Sequence, residues 1–144
     1  MREIRTVVDI DAPPQDVWNV LMDFAKYGEW NPFVRSLDGT PAVGEQLVAM
    51  LGATGKKPMK VSPIVQEYDA PTRFAWLGSM GFKGVFDGRH QFDLVATETG
   101  TRFHHYEEFS GILAPLVIAA IRKSTTRGFE EMNQALKLRV ESGS

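Results

Sequence analysis

Apolar and polar positions change rhythm three times along this chain. From Arg2 to Ile10 the chain is rich in β-branched residues, which predicts a strand. Asp11-Ala12-Pro13-Pro14 then punctuates the chain, and proline is accepted in a first helical turn because its missing N–H has no partner there anyway. Val17, Val20, Leu21 and Phe24 follow at helical spacing, with Trp18 and Met22 beside them, so a short helix with one apolar face is expected. Gly28 stops or bends it, and Asn31-Pro32 signals a turn. Tyr27 and Trp30 between them should plug one end of the core or rim a pocket, with Trp30 beneath the short helices.

From Phe33 to about Gly111 the rhythm is strand and turn. Turn signals fall at Asp38-Gly39, Gly52 to Pro58, Asp69 to Pro71, Gly78 to Gly84 and Thr97 to Gly100. They separate EQLVAML, KVSPIVQEY, RFAWLG, FDGRHQFDLVA and TRFHHYEEF, which suits a meandering antiparallel sheet. From Leu113 or Ala114 to about Val140 the period becomes helical, with Val117, Ile121, Phe129, Met132, Ala135 and Leu136 near one stripe. Gly128 inside that helix suggests a kink or a close approach to another element. A strand, short helices, about six strands and one long helix make an α+β fold, in which the helix covers a half-buried sheet.

The register of the last hairpin can be argued from alternation. Phe86, His90, Phe92 and Leu94 share one face of the first strand, whereas Phe103, His105, Glu107 and Phe109 share one face of the second. A loop from Thr97 to Gly100 sets Ala96 opposite Thr101, Leu94 opposite Phe103, Phe92 opposite His105 and His90 opposite Glu107. A slip of one residue would turn one apolar face outward. The adjacent His104 and His105 therefore do not act as a pair. His104 and Tyr106 belong to the outer face, as solvent-side residues or as cover for a neighbouring chain.

Polar groups on a core face need partners. For His90, His105 and Glu107 three readings stand. They form a satisfied polar wall, they hydrogen-bond a ligand, or they carry catalysis, with a glutamate-tuned histidine moving a proton. A zinc site is less well supported, because no helical H-E-x-x-H pattern accompanies the histidines. No nucleophile elbow or phosphate loop is present, and no metal or cofactor is called for.

Composition narrows the classes further. The 144 residues fit a single domain, 1–144, large enough to bury a core unaided. The absence of cysteine excludes a disulfide framework and a thiolate nucleophile. A net charge of -2 gives no footprint for nucleic acid. The longest apolar run, Ile112 to Ile121, holds a proline and is too short to span a bilayer, and the N-terminus is unlike a signal peptide. A soluble, cytoplasmic protein is expected.

The stretches IDAPPQDVWNVLMDFAKYGEWNPFV, DAPTRFAWLG, FDGRHQFDL and GTRFHHYEEFSG, followed by the final helix, resemble the START-like helix-grip superfamily. More narrowly, they are similar to the polyketide cyclase/dehydrase-like (SRPBCC) family. The resemblance implies a curved antiparallel sheet of about seven strands gripping the C-terminal helix, with two short helices after the first strand. It also implies an internal cavity for a small hydrophobic or amphipathic ligand, lipid- or polyketide-like. The expected lining is Phe74, Trp76, Phe86, His90, Phe92, His105, Glu107 and Phe109, closed by Phe129 and Met132 of the helix, with a mouth near Gly52 to Lys57 and Ser79 to Gly84. Two alternatives remain. One is a cyclase or dehydratase using His90, His105 and Glu107 in acid-base chemistry. The other is an interaction module whose ILAPLVIAAI segment docks on a partner or on a second copy as a homodimer.

Overall fold

The computed structural model describes residues 2–143. Strand β1, Arg2–Ile10, buries Ile4, Thr6 and Ile10 and exposes Arg5, Val7 and Asp9, as its alternation requires. Helix α1, Pro14–Met22, starts at a proline and buries Val17, Trp18 and Leu21. A 3-10 turn, Phe24–Lys26, and the single turn α2, Tyr27–Trp30, complete the first excursion from the sheet. Tyr27 is the aromatic that plugs the core: its hydroxyl donates to the Leu21 carbonyl at 2.7 Å. Trp30, expected beneath the short helices, is half-buried against the core and packs edge-on on Tyr27. The Asn31 amide oxygen accepts from the backbone N–H groups of Phe33 and Val34, and this side-chain turn launches the next strand.

Among the described residues there are eight strands, in keeping with the expected count of about seven. After β1 come β2, Val34–Asp38; β3, Val48–Leu51; β4, Met59–Val61; β5, Ile64–Asp69; β6, Arg73–Met80; β7, Phe86–Ala96; and β8, Thr101–Ser110. The run KVSPIVQEY divides at Ser62-Pro63 into β4 and β5, because proline has no N–H to give a ladder. One sheet has the order β1-β8-β7-β6-β5 and the other β2-β3-β4. They are stitched together by residues 44–47, where Gly44 N–H reaches Val65 O, Val65 N–H reaches Glu45 O and Leu47 N–H reaches Pro63 O. The β7–β8 register is the one that alternation required: Ala96 faces Thr101, Leu94 faces Phe103, Phe92 faces His105 and His90 faces Glu107.

Helix α3, Ala114–Glu141, packs against β1, β8 and β7 and is gripped by the sheet. It runs through Gly128 without a break. A Cβ there would lie 2.5 Å from the Phe33 ring, so this glycine marks a close approach of the residue leading into β2 to the helix. Phe129, Met132 and Leu136 of the C-terminal half are fully buried, whereas Val117 and Ile121 of the N-terminal half are only partly covered. The helix therefore seals one end of the sheet and stands off from the other. Among the described residues no helix is long and apolar enough to cross a membrane.

The outer face of the larger sheet is polar but not simply solvated. Arg73 holds Glu67 at 2.8 Å and Asp93 at 2.7 Å, and Arg89 donates to Glu67 at 2.9 Å. Tyr106 lies on this face, yet it is buried, which departs from the solvent-side expectation. The Arg5 guanidinium sits 3.8 Å above its ring, and its hydroxyl donates to Asp93 at 2.8 Å. His104, also outward, is half-buried, and its Nδ1 lacks a hydrogen-bond partner.

Candidate functional site

Where α3 stands off, a cavity of about 340 Å³ opens between its N-terminal half, the β2–β4 sheet and the ends of β6, β7 and β8. The volume suits a small organic molecule. Its walls are mainly apolar: Phe33 at the entry to β2 with Leu51 and Val61 from one sheet, Trp76, Phe86 and Phe109 from the other, and Val117 and Ile121 from the helix. Gly52, Ala53, Lys56 and Lys57 of the loop between β3 and β4 line one side of the rim and Ser79 and Met80 at the end of β6 the other, whereas residues 81–84 do not line the cavity. Phe82, Ile112 and Leu116 stand exposed on the segments beside it.

Glu107 is the one acidic side chain of this lining among the described residues. Its side chain is 17% exposed, and the carboxyl group folds back over Gly88, where a Cβ would sit 2.0 Å from Oε2. Only glycine at that point of β7 lets the carboxyl group reach His90, whose Nδ1 lies 3.2 Å from Oε1. From there a chain of hydrogen bonds runs into the core. His90 Nε2 is 2.8 Å from His105 Nε2, and His105 Nδ1 is 2.9 Å from the Asn133 amide oxygen. The Asn133 amide nitrogen donates to Thr6 Oγ1 at 2.8 Å, and Thr6 Oγ1 donates to the His105 carbonyl at 2.8 Å. Each of these buried side chains thus has partners, as burial requires.

Aromatic rings hold the imidazoles in place. His105 stacks on Phe129 with centroids 4.1 Å apart, and His90 stacks on Trp76 at 5.1 Å. His105 is fully enclosed, and burial, followed by the neighbouring His90, pushes its pKa well below the ordinary histidine value, against a smaller opposing effect of the Asn133 bond.

The structure divides the ten expected lining residues. Trp76, Phe86, Glu107 and Phe109 face the cavity. His90, Phe92, His105 and Phe129 form the packed layer behind it, and Phe74 and Met132 lie in the core away from the opening. The reason is volume: aromatic rings fill the space between sheet and helix around His90, so the opening is displaced toward β2–β4. Sequence reasoning missed Phe33, Leu51 and Val61 of the wall, and Thr6, Gly88 and Asn133 of the hydrogen-bonded chain. Signals existed for the last three. Thr6 interrupts an apolar face between Ile4 and Val8, Gly88 interrupts a strand, and Asn133 sits beside Phe129, Met132 and Leu136 on the helix stripe. Among the described residues no three His, Asp or Glu side chains are grouped to hold a metal ion.

The arrangement can present a carboxyl group inside an apolar pocket and exchange a proton with whatever lies against it.

Known proteins share this architecture. Protein TTHA0849 from Thermus thermophilus superposes with a TM-score of 0.73 at 22% identity, covering 99% of this chain and 99% of that one. The di-domain aromatase/cyclase BexL from the BE-7585A biosynthetic pathway gives 0.75 at 18% identity over 96% of this chain, which spans 50% of BexL. DynU16, a putative protein in the dynemicin biosynthetic locus, gives 0.75 at 17% identity over 100% of this chain and 49% of its own. At these identities the likeness is one of fold. No curated protein matches the sequence. The family model described as polyketide cyclase/dehydrase and lipid transport matches residues 1–141, and the chain belongs to that family.

Proposed function

We propose that this protein binds a small apolar or amphipathic molecule, lipid- or polyketide-like, in the cavity between α3 and the two sheets, with Glu107 as its polar anchor. The observation that carries the reading is an apolar cavity of about 340 Å³ whose lining holds one carboxyl group, seated over Gly88 and backed by His90. Apolar walls supply affinity in proportion to the area they remove from water, and one fixed polar group supplies orientation. Lys56 and Lys57 at the rim suit a ligand whose outer end is acidic. Native mass spectrometry of protein purified from its own host tests this. A co-purifying small molecule, lost when Ile121→Trp places an indole in the cavity, is the expected result. An empty wild-type protein that also takes up none of a panel of fatty acids and aromatic polyketides would overturn it.

A second reading is favoured by one feature, the histidine pair behind Glu107. A carboxyl group joined to two imidazoles can both give and take a proton, which is what a cyclase or dehydratase acting on a polyketide-like substrate needs. The fate of the ligand separates the two: a carrier returns it unchanged, and an enzyme converts it. Glu107→Gln should weaken binding in a carrier, and should cut turnover far more than affinity in an enzyme.

A further inference from the structure

The chain of hydrogen bonds from Glu107 to Thr6 has a direction, and donor counting shows what sets it. Thr6 Oγ1 carries one hydrogen, which goes to the His105 carbonyl, so this oxygen accepts from the Asn133 amide nitrogen. The Asn133 amide oxygen faces His105 Nδ1 and can only accept, so Nδ1 carries a hydrogen. His105 is neutral, since burial opposes its charging, and its Nε2 is therefore bare. Nε2 accepts from His90 Nε2, which must then be the N–H of that ring. At the cavity end His90 Nδ1 and Glu107 Oε1 need a hydrogen between them. Either a protonated Glu107 donates to a bare Nδ1, or an imidazolium donates to the carboxylate. A carboxylate facing a bare Nδ1 would set two lone pairs against each other.

This polarity therefore holds one proton more than neutral imidazoles and a carboxylate. When that proton leaves, each contact from Glu107 through His90, His105 and Asn133 to Thr6 keeps its hydrogen bond if the chain reverses, and only the bond from Thr6 to the His105 carbonyl is given up. His90 Nδ1–H then donates to the carboxylate, His105 Nε2–H donates to His90 Nε2, and a half-turn of the Asn133 amide brings its nitrogen onto the bare His105 Nδ1. The Thr6 hydroxyl swings from the His105 carbonyl to the Asn133 oxygen. A half-turn of an amide exchanges nitrogen and oxygen with no change of volume, so the packed core tolerates both forms.

We propose that Asn133 and Thr6 are positioning residues of a reversible proton-coupled chain, whose direction follows the uptake or loss of one proton by the Glu107–His90 pair at the cavity wall. In either form the second carboxyl oxygen of Glu107 is left to accept, as from a ligand hydroxyl, and the forms differ in charge: the protonated pair is neutral overall, and the other carries one negative charge at the cavity wall. The groups facing the pair are His105 from β8, the rings of Phe33, Trp76, Phe92 and Phe129, and, across the cavity, Lys56 and Lys57. The reversal belongs to the ligand-free protein, so its test is independent of the proposed function.

Long-range proton–nitrogen correlation spectra of the imidazoles, recorded on ligand-free, uniformly nitrogen-15-labelled protein between about pH 8 and pH 5, read the tautomers directly. His105 should exchange its N–H from Nε2 to Nδ1 on acidification without becoming an imidazolium, at the same midpoint at which the His90 Nδ1 signal changes. His104 lies on the other face of the sheet and takes no part in the chain. Glu107→Gln preserves the volume and removes the carboxylate's share of the proton, so in it the pH at which the His105 tautomer changes should move, or the change should vanish. A His105 that holds one tautomer throughout the range in the native sequence overturns the proposal. So does a switch that persists unchanged in Glu107→Gln.

Discussion

Gly88→Ala tests the link between the cavity and the buried chain of hydrogen bonds with one methyl group. The new Cβ would lie 2.0 Å from Glu107 Oε2 and 3.0 Å from its Cδ, so the carboxyl group must swing away. The backbone need not move, because the obstructing atoms end a flexible side chain. The cost is the lost bond to His90, whose Nδ1 is left without a partner in a residue that is 2% exposed. A bond of this kind contributes about 1.5–3 kcal/mol. Alanine in place of glycine within a strand returns about 0.5–1 kcal/mol through lower unfolded-state entropy. The net loss should be about 1–2 kcal/mol, a fall in Tm of roughly 3–6 °C for a chain of this size. Thermal melts of a double-mutant cycle with Glu107→Ala decide the cause. In the Glu107→Ala background the obstructing carboxyl group is gone, so Gly88→Ala should cost nothing or stabilise slightly. Equal losses in both backgrounds would refute the reasoning, since the clash would then lie elsewhere.

His105 should make stability depend on pH. Its folded pKa is depressed, so the unfolded chain takes up a proton below about 6.5 that the native state refuses; stability is full above that value and falls as the pH drops, by up to about 1.4 kcal/mol per pH unit. Denaturant titrations at several pH values should show a shallower slope in His105→Phe, and an unchanged slope would contradict the assignment. Glu67, held down to about 2 by Arg73 and then Arg89, contributes stability above its ordinary value of 4.5 that is lost as the pH falls toward 2. Glu67→Gln should flatten acid unfolding in that window. Gly128→Ala sets about 1 kcal/mol of helix propensity against an overpacking cost of about 1–3 kcal/mol at the Phe33 ring, so the melt should show a net loss of about 1 kcal/mol.

The parts of this molecule that were legible in its sequence are those governed by local period. Alternation along β7 and β8, with the short loop between them, set His90 against Glu107 and turned His104 outward, because a slip of one residue would have exposed Leu94 or Phe103. The division of KVSPIVQEY at Pro63 was legible in principle, since proline cannot donate to a ladder, yet apolar pattern alone joined the two strands. Contacts between distant elements were not legible. Thr6 meets His105 across 99 positions, and Asn133 meets it across 28, and no periodicity aligns one element against another over such separations. Tyr106 illustrates the same limit: its direction follows from alternation, but its burial follows from Arg5 on the neighbouring strand. The cavity's position depends on which half of α3 stands off, and this is decided by Phe33 meeting Gly128.

Binding requires an apolar molecule to enter the space between Ile121, Trp76 and Glu107. Fluorescence titration with 1-anilinonaphthalene-8-sulfonate, an apolar probe whose sulfonate suits Lys56 and Lys57 at the rim, addresses that space directly. The native sequence should show a single saturable site. Ile121→Trp should abolish it while the protein melts at or above the native temperature, because the indole fills a void without displacing packed side chains. Probe binding that survives the filled cavity with unchanged affinity would place the site elsewhere on the molecule and contradict the account.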